Sequence, residues 1–467
     1  MTEGRDPLHI AREALGDREA WVVGGAVRDA LLGRPTADLD IVVDADVAVA
    51  ARAVARAARG PAFELSDEFG SWRVMARDRS WQIDLSPLRG GSLQDDLALR
   101  DFTVNAIAEP LAGGARVDPH GGAEDLAAGR LRVVGPRAMA DDPLRVVRLV
   151  RLAMELALDA DAETIALARA SAYASAAVAQ ERVFAELRRI IAGDGVIASL
   201  ALMDEIGLTA AILPELHALQ GVKQNRYHHA DVHAHTIEVL EQVVALQADP
   251  GAVFGTEQAV AIAALLTEPL GDEVDRGFAL RLGALLHDVA KPATLGRRDD
   301  GTPTFLGHDR EGAGLTREIL ARLRCSEKLK AHVAALTRHH LRLGFLVHDV
   351  PLSRRALYGY LKTTDPVEVD VTLLSVADRL ATRGRKAQES IAKHVQLAHE
   401  VMPAALLWRA EGRRTPLVRG DTLATALQID DGPRLGRLLA EIDEARFAGE
   451  VTTPDEAIAF AEQRLEH

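Results

Sequence analysis

The fold is decided by Gly24-Gly25-Ala26-Val27-Arg28-Asp29 and, shortly after it, Asp38-Leu39-Asp40-Ile41-Val42-Val43. The first segment follows a short apolar run and opens a helical run, so it predicts a strand-to-helix turn. Two glycines at such a turn let the backbone approach a ligand closely, and a helix N-terminus behind them suits an anion such as phosphate. Because an ordinary connection can also contain two glycines, the second segment carries more weight.

That second segment places two carboxylates, Asp38 and Asp40, at the edge of a predicted strand. Residues i and i+2 of a strand point to the same face, and neighbouring carboxylates repel each other unless a cation lies between them. Oxygen ligands suit Mg²⁺, which typically bridges carboxylates and substrate phosphates. Asp84, in the strand-like run 82–85, is either a residue of the exposed face or a third member of this site.

Strand-like runs are concentrated early in the chain, and nearly everything after residue 141 has a helical pattern. We expect strands at 21–23, 39–43, 72–75 and 81–85, with an Ala-rich helix over 45–59. Further helices are expected at 144–156, 162–170, 181–192, 197–206 and 235–245, and loops at 249–255, 269–276 and 299–303. The pattern predicts a small α/β unit followed by a mostly helical remainder.

Composition and charge limit the class of protein. The 467 residues are 48% hydrophobic and 27% charged, with one cysteine, which excludes a disordered chain and a disulfide framework. No window holds about 18 uninterrupted apolar residues, and the N-terminal segment lacks the apolar core of a signal peptide. The net charge of −14 argues against non-specific coating of nucleic acid. We expect a cytoplasmic protein with no membrane partner.

A second set of candidate ligands lies in the helical part. His287-Asp288 ends an apolar helix, while His235 and Asp378 lie on other predicted helices. Imidazole and carboxylate groups that converge from several helices can hold one metal, and they suit Mn, Ni, Fe or Zn more than Ca. Further histidines lie between these ligands and could supply a second metal or bind phosphate: His308, His339 and His340.

The helix that follows Asp141 carries arginines at three-residue spacing, Arg145, Arg148 and Arg151. Asp142 can cap this helix, with Pro143 at its first position. Asp142 and Arg145 also share a helix face, so they could present an acceptor and donors to a nucleobase. A later helix presents another such row, which is either an ordinary salt-bridged face or a support for a nucleotide pocket: Arg182, Glu186 and Arg189.

In this order, the motifs resemble the bacterial tRNA nucleotidyltransferase and poly(A) polymerase family of the polymerase-beta-like superfamily. The matching segments are Gly24-Gly25…Arg28-Asp29, Asp38-x-Asp40, 96–106, Asp118-Pro119-His120-Gly121-Gly122…Asp125-Leu126, Asp141-Asp142-Pro143-Leu144-Arg145 and Arg182-x-x-x-Glu186. The later His/Asp set resembles an HD phosphohydrolase domain, which some members carry. Asn225-Arg226-Tyr227-His228 resembles the start of that domain, and 416–465 resembles the family's tail, which grips the tRNA elbow.

The resemblance implies an α/β head (polymerase-beta-like nucleotidyltransferase) followed by a mostly α-helical neck, an HD-type body and a tail. The implied boundaries are 1–138, 139–215, 216–400 and 401–467. It also implies tRNA, CTP and ATP as partners, Mg²⁺ in the head, and a divalent transition metal such as Ni, Mn or Fe in the HD site.

The resemblance further implies a role for each matching residue. The catalytic residues are Asp38, Asp40 and Asp84, of which Asp38 and Asp40 hold Mg²⁺ and Asp84 is a candidate to help activate the attacking hydroxyl. The nucleotide-binding residues are Gly24, Gly25, Arg28, Arg100, Asp101, Asn105, Asp142, Arg145, Arg148 and Arg182. The HD metal ligands are His235, His287, Asp288 and Asp378, with His308 and His340 as candidates to support them.

Two features depart from the family pattern. Leu99 stands where the family usually has the first of two arginines, and 84–96 is shorter than the mobile loop that many relatives use to switch from C to A addition. Full CCA addition, CC addition only and poly(A) synthesis therefore stay open. Two other classes are an HD phosphohydrolase with a head that only binds nucleotide, and a non-catalytic RNA-binding module. The acidic charge and two complete metal constellations argue against the module.

Overall fold

The computed structural model describes residues 6–16, 18–66, 70–224, 230–348, 351–383, 387–412 and 415–465. The chain divides into two compact units, Met1–Ile212 and Leu213–His467. The finer boundaries at 138, 215 and 400 stay predictions. The segment 225–228, which resembles the start of an HD domain, lies outside the described residues.

The first unit combines a sheet with helices that become dominant towards its end. Its elements are α1 Pro7–Leu15, β1 Ala20–Val23, α2 Gly25–Leu31, β2 Asp38–Val43, α3 Val47–Ala58, β3 Ala62–Ser66, β4 Ser71–Met75, β5 Gln82–Pro87, α4 Leu93–Ala98, β6 Ala108–Pro110, α5 Gly122–Ala127, β7 Arg130–Leu131, α6 Ala138–Asp141, α7 Leu144–Leu156, β8 Asp159–Ala160, α8 Ala162–Ser171, α9 Gln180–Ala192, α10 Val196–Glu205 and α11 Leu208–Ile212. Two 3₁₀ helices cover Thr103–Asn105 and Ala172–Ala177.

The second unit is helical apart from two short hairpins. Its elements are α12 Pro214–His217, α13 Val232–Ala248, α14 Gly251–Leu266, β9 Pro269–Gly271, β10 Val274–Asp275, α15 Arg276–Leu286, β11 Gly296–Arg297, β12 Pro303–Thr304, α16 His308–Arg322, α17 Glu327–His339, α18 Arg342–Phe345, α19 Arg354–Thr364, α20 Glu368–Leu380, α21 Ala387–Glu411, α22 Gly420–Leu427, α23 Pro433–Ala448 and α24 Pro454–Leu465, with a 3₁₀ helix at Leu346–His348. None of the described helices is long and apolar enough to cross a membrane.

The six-stranded sheet of the first unit has the order β3-β4-β5-β2-β1-β6. Strands β2 and β5 are parallel, and the other neighbours are antiparallel. On β2, Ile41 and Val43 join the apolar cluster beneath α1 and α3, while Val42 joins a cluster with α4 on the other face. Because both faces are covered, the strand is apolar throughout, except at the end that carries the two aspartates.

The expected α/β unit with a helical remainder is confirmed, and the predicted strands correspond to β1, β2, β4 and β5. Two further strands of the six-stranded sheet were not predicted: β3, whose Phe63, Glu64 and Leu65 are exposed at the sheet edge, and β6, which has only three residues. The predicted loop at 249–255 is wrong in part, since α14 begins at Gly251. Its chain breaks from helical geometry at Gly255, where φ is 78°.

A buried carboxyl group lies at the start of α20. Glu368 is fully buried, and neither of its side-chain oxygens accepts a hydrogen bond from another described residue. Burial raises the pKa of Glu368 to about 7, with the negative charge of Asp365 adding to the effect and Arg409 and Arg276 opposing it. The group is therefore close to half protonated at neutral pH.

We expect Glu368→Gln to stabilise the protein at pH 8 and to change its stability much less at pH 5. The pKa of Glu368 in the folded protein lies above the ordinary carboxyl value. Its contribution to stability is therefore complete below pH about 4.5 and is lost as the pH rises through 7. The gain at pH 8 should be roughly 2 kcal/mol. Urea unfolding at both pH values measures it, and an equal effect at the two pH values would contradict the assignment.

Candidate active sites

The glycine turn between β1 and α2 lies directly against two charged side chains. Gly24 has a φ of 70°, in the left-handed region that favours glycine. A Cβ placed on Gly24 would lie 3.1 Å from Arg100 Nη1 and 3.5 Å from Asp40 Oδ2. The turn therefore needs glycine for its conformation and for the close approach of the backbone to a carboxylate and a guanidinium.

Asp38 and Asp40 lie exposed at the start of β2, and Asp84 is paired with Asp40 on the parallel strand β5. The protein atoms crowded around Asp40 raise its pKa, and the neighbouring Asp84 carboxylate adds to this, while Arg100 opposes it. A divalent cation would relieve such a concentration of negative charge. Among the described residues, however, Asp38 and Asp40 do not join a third acidic or imidazole ligand in a set with all atoms within 4.8 Å of one another.

Arg73 holds the third carboxylate of this site. Arg73 lies opposite Asp84 in the antiparallel pair β4–β5, and its Nε and Nη2 donate to the two Asp84 oxygens, each at 2.7 Å. Sequence reasoning missed Arg73, although the pairing of two adjacent predicted strands could have revealed it. The bidentate contact fixes the orientation of the Asp84 carboxylate.

The Asp101 carboxylate organises the arginines behind the glycine turn. Its Oδ1 accepts hydrogen bonds from the Phe102 backbone N–H at 2.8 Å and from Asn105 Nδ2 at 3.0 Å, and its Oδ2 accepts from Arg148 Nε at 2.9 Å. Asn105 Oδ1 in turn accepts from Arg28 Nη1 at 2.6 Å. Although burial alone would raise the pKa of Asp101, Arg148 and Asn105 lower it to about 2.

The same network continues into α9. Arg148 Nη1 donates to Glu186 at 3.3 Å, and Arg151 bonds to both Glu186 and Glu155. Arg189 makes two further contacts to Glu155, each at 2.9 Å. The expected ion pairs of this helix face are present, and through Arg148 they reach the Asp101 carboxylate, while support for a nucleotide pocket stays a prediction.

Asp142 and Arg145 are both engaged by other parts of the chain. Asp142 Oδ1 accepts from the Leu144 backbone N–H at 3.2 Å, which confirms its capping contact, and Oδ2 accepts from Arg182 at 3.0 Å. The Arg145 guanidinium donates to three backbone carbonyl oxygens, those of Leu99 at 2.6 Å, Arg100 at 3.1 Å and Ala138 at 3.1 Å. Position 99, where this chain departs from the family, thus contributes its carbonyl group.

In the second unit, the predicted HD ligands fall into two adjacent groups. One contains His235, His287 and Asp378, and the other contains Asp288, His308 and His340, each with ligand atoms within 4.8 Å of one another. Asp288 also remains close to the first group, since its Oδ2 lies 3.1 Å from His287 Nε2, so the single set of four ligands stays a prediction. His339 belongs to neither group.

Three of these imidazoles are oriented by backbone carbonyl groups. The Nδ1 atoms of His287, His308 and His340 lie 2.7, 2.6 and 2.7 Å from carbonyl oxygens of Ala284, Phe305 and Thr337. Since a carbonyl oxygen only accepts, each Nδ1 carries a proton, and each ring directs its Nε2 towards the other ligands. This is the tautomer that a metal-binding histidine requires when Nε2 is the ligand atom.

The ligand atoms meet without enough protons to satisfy one another. His308 Nε2 and His340 Nε2 lie 3.3 Å apart, and burial lowers the pKa of His340 to about 4, so its ring is neutral at pH 7. His287 Nε2 is buried 3.1 Å from Asp288 Oδ2 without hydrogen-bond geometry. The close approach of imidazole nitrogen and carboxylate oxygen atoms in each group fits a cation there.

Lys291 lies beside the second group, in contact with Asp288. Sequence reasoning did not identify it. Its Nζ lies 2.6 Å from Asp288 Oδ2 and 2.7 Å from Gln224 Oε1. The signal was the spacing of three residues from Asp288 at the end of an apolar helix. Lys291 holds the Asp288 carboxylate on the side away from His308, whose Nε2 lies 3.3 Å from the other carboxylate oxygen.

Three family models match successive parts of the chain. The poly A polymerase head domain matches residues 20–132, the probable RNA and SrmB-binding site of polymerase A matches 159–220, and the HD domain matches 232–383. Solved structures similar in fold include a CCA-adding enzyme in complex with CTP (TM-score 0.64, 19% identity, 99% of this chain and 95% of that chain). Another is the Thermotoga maritima CCA-adding enzyme complexed with tRNA (TM-score 0.62, 20% identity, 99% and 97%).

Curated relatives align over almost the whole chain. The A-adding tRNA nucleotidyltransferase of Deinococcus radiodurans is 37% identical and covers 96% of both chains. The CC-adding tRNA nucleotidyltransferase of Thermus thermophilus is 33% identical and covers 95% of this chain and 93% of the relative. With head, RNA-binding and HD models in the same order, these full-length matches show that the chain belongs to the tRNA nucleotidyltransferase family.

Proposed function

We propose that this protein is a template-independent nucleotidyltransferase that adds C, A or both to the CCA end of tRNA from CTP and ATP in the cytoplasm. The observation that carries the proposal is the close approach of the Gly24 backbone to Asp40 and Arg100. This approach brings together a backbone segment without a side chain, carboxylates suited to a cation and a guanidinium suited to phosphate. The relatives named above add A or CC to tRNA, which supports tRNA as the acceptor.

In this reaction the RNA 3′-hydroxyl attacks the α-phosphorus of the nucleotide and pyrophosphate leaves. Asp38 and Asp40 would hold Mg²⁺, which when bound neutralises phosphate charge during transfer. Arg100 and Arg28 lie at the glycine turn and are placed to bind phosphate oxygens. Because both Asp84 oxygens accept hydrogen bonds from Arg73, we assign Asp84 to shaping the charge beside Asp40 rather than to proton transfer.

The nucleobase is read, in our proposal, by Asp142 and Arg145 at the start of α7. The Arg182 contact and the capping contact fix the Asp142 carboxylate, and three carbonyl groups fix the Arg145 guanidinium. Asp101 and Asn105 act as positioning residues, since their polar groups orient Arg148 and Arg28. Arg148 and Arg28 then remain at the nucleotide side of the network.

The second unit is, we propose, a phosphohydrolase that acts on phosphate groups at RNA ends. Its two ligand groups would hold divalent transition metals such as Ni, Mn or Fe, which when bound supply a nucleophilic hydroxide at neutral pH. The observation in favour is the approach of the Nε2 atoms of His308 and His340 to 3.3 Å of each other, with the Asp288 carboxylate 3.3 Å from His308 Nε2. The donor set, four imidazoles and two carboxylates, suits these metals better than Mg²⁺.

Asp38→Asn and Asp40→Asn should each lower nucleotide addition on the order of 10³-fold or more, because the cation loses a charged ligand. The assay incubates tRNAs ending before CCA, after C and after CC with CTP or ATP and sequences the 3′ ends. The wild-type products show which nucleotides are added. Arg355→Met, on helix α19 of the second unit, is the control. Near-normal addition by both aspartate variants would contradict the site.

Asp142→Asn and Asp142→Ala separate base reading from capping. Asparagine still caps a helix but exchanges an acceptor for a donor, so Asp142→Asn should alter the CTP-to-ATP ratio of kcat/KM by about tenfold at unchanged stability. Asp142→Ala should alter the ratio and also cost about 1 kcal/mol of stability. An unchanged nucleotide preference in Asp142→Asn would leave only the capping role.

Metal counting tests the two HD groups. In an Asp38→Asn/Asp40→Asn background, we expect the full chain to bind about two Mn²⁺, one for each group. His235→Ala and His308→Ala should each remove one of them, and both should abolish hydrolysis of a phosphomonoester. With Asp38 and Asp40 intact, His308→Ala should leave nucleotide addition unchanged. If His308→Ala still binds both Mn²⁺ ions, the proposed second metal group is contradicted.

A further inference from the structure

Three of the helices that lead to the HD ligands, α15, α17 and α20, are joined a second time, away from the ligands. Helix α15 leads from Arg276 to His287, α17 leads from His332 to His340, and α20 leads from Asp370 to Asp378. At 1.5 Å per residue, the two ends of each path are roughly 12–16 Å apart. A polar cluster formed by Arg276, His332 and Asp370 therefore lies at a distance from the metal groups.

This cluster is a buried and charged one. Arg276 is 3% exposed and Asp370 is fully buried. The Arg276 Nη2 and Nε donate to the two oxygens of Asp370, and His332 Nε2 lies 3.5 Å from Asp370 Oδ1. Although burial alone would raise the pKa of Asp370, His332 and Arg276 hold it below its ordinary value, so the carboxylate is ionised. Arg276 also donates to the Pro366 carbonyl group just before α20.

The fourth ligand helix is tied to the same end of α15. Helix α13 carries His235 in its first turn and Gln247 in its last, and Gln247 Nε2 donates to the Gly277 carbonyl oxygen at 2.7 Å. Gln247 Oε1 accepts from Arg281 Nε at 2.7 Å. All four helices that supply His235, His287, His340 and Asp378 are thus linked by polar contacts away from the ligands.

Between the two ends, α15 and α17 pack too closely to shift independently. A Cβ on Gly283 would lie 2.6 Å from Leu336 Cδ1, so this contact leaves no room for a side chain. Gly283 lies one turn before His287, and Leu336 lies one turn before His340. A displacement of one helix against the other at the Arg276 end would therefore reach the ligand end.

We propose that Arg276 and Asp370 are positioning residues that set the axial register of α15 and α20 and thereby the geometry of the HD metal groups, an inference that rests on the metal binding proposed above. A bidentate Arg–carboxylate pair forms both of its hydrogen bonds at only one relative position of the two side chains. A slide of α20 by one residue, about 1.5 Å, would break it and displace Asp378 by the same distance. A buried ion pair adds little net stability over apolar residues of similar size, so register is the property it provides.

The test replaces the pair by apolar residues and measures metal binding apart from stability. In the full chain with Asp38→Asn/Asp40→Asn, Arg276→Met/Asp370→Leu should unfold thermally at or above the temperature of the parent, yet bind Mn²⁺ about tenfold more weakly by calorimetry. Arg276→Lys, which keeps the charge without the fork, should fold and give a smaller loss of affinity. Arg355→Met/Glu450→Gln removes an Arg–carboxylate pair from the ligand-free helix α19 and should leave Mn²⁺ binding unchanged.

Each result decides a different question. Unchanged Mn²⁺ affinity in a folded double variant overturns the positioning role, and if that variant does not fold, unchanged affinity in Arg276→Lys overturns it instead. Loss of affinity in the control pair as well would show a general effect of charge removal and would also overturn it. Failure of the parent itself to bind Mn²⁺ refutes the proposed metal site rather than the coupling between the helix ends.

Discussion

A charge taken out of water needs partners of opposite charge at fixed positions, and this constraint shapes both units. In the first unit the buried Asp101 carboxylate collects Arg148 and, through Asn105, Arg28. In the second unit the buried Asp370 carboxylate collects Arg276. Each carboxylate joins elements distant in sequence, so the positions of the surrounding side chains depend on its being charged and fully bonded.

The two sites differ in what they leave unsatisfied. The head brings carboxylate oxygen atoms together on two parallel strands, with Arg73 and Arg100 beside them. A further positive charge would therefore stabilise this site. The HD site brings imidazole nitrogen atoms together, and backbone carbonyl groups accept hydrogen bonds from the Nδ1 atoms on the outer side. A hard cation suits the first arrangement and a softer one suits the second, which allows two chemistries to coexist in one chain.

The sequence was sufficient for the class of fold, because β2 has a clear apolar run, and it singled out side chains that the structure brings together, because candidate metal ligands are chemically distinctive. Strands β3 and β6 were not predicted, because neither buries enough apolar surface to leave a recognisable pattern in the sequence. The contacts of Asp288 could not be foreseen. Its carboxylate lies 3.1 Å from the Nε2 of the adjacent His287 and 3.3 Å from the Nε2 of His308, and the sequence alone does not reveal the second approach.

The Arg145 guanidinium has acceptors before any other molecule arrives, because the carbonyl groups of Leu99, Arg100 and Ala138 occupy it. Any incoming acceptor must exchange with them, so its net gain is a difference between two sets of hydrogen bonds and stays small. The preference for one incoming group over another is then the difference between two such small net gains in free energy. If Arg145 reads the base as proposed, selectivity comes from the misfit of the wrong group, whose arrival would leave a guanidinium donor without an acceptor.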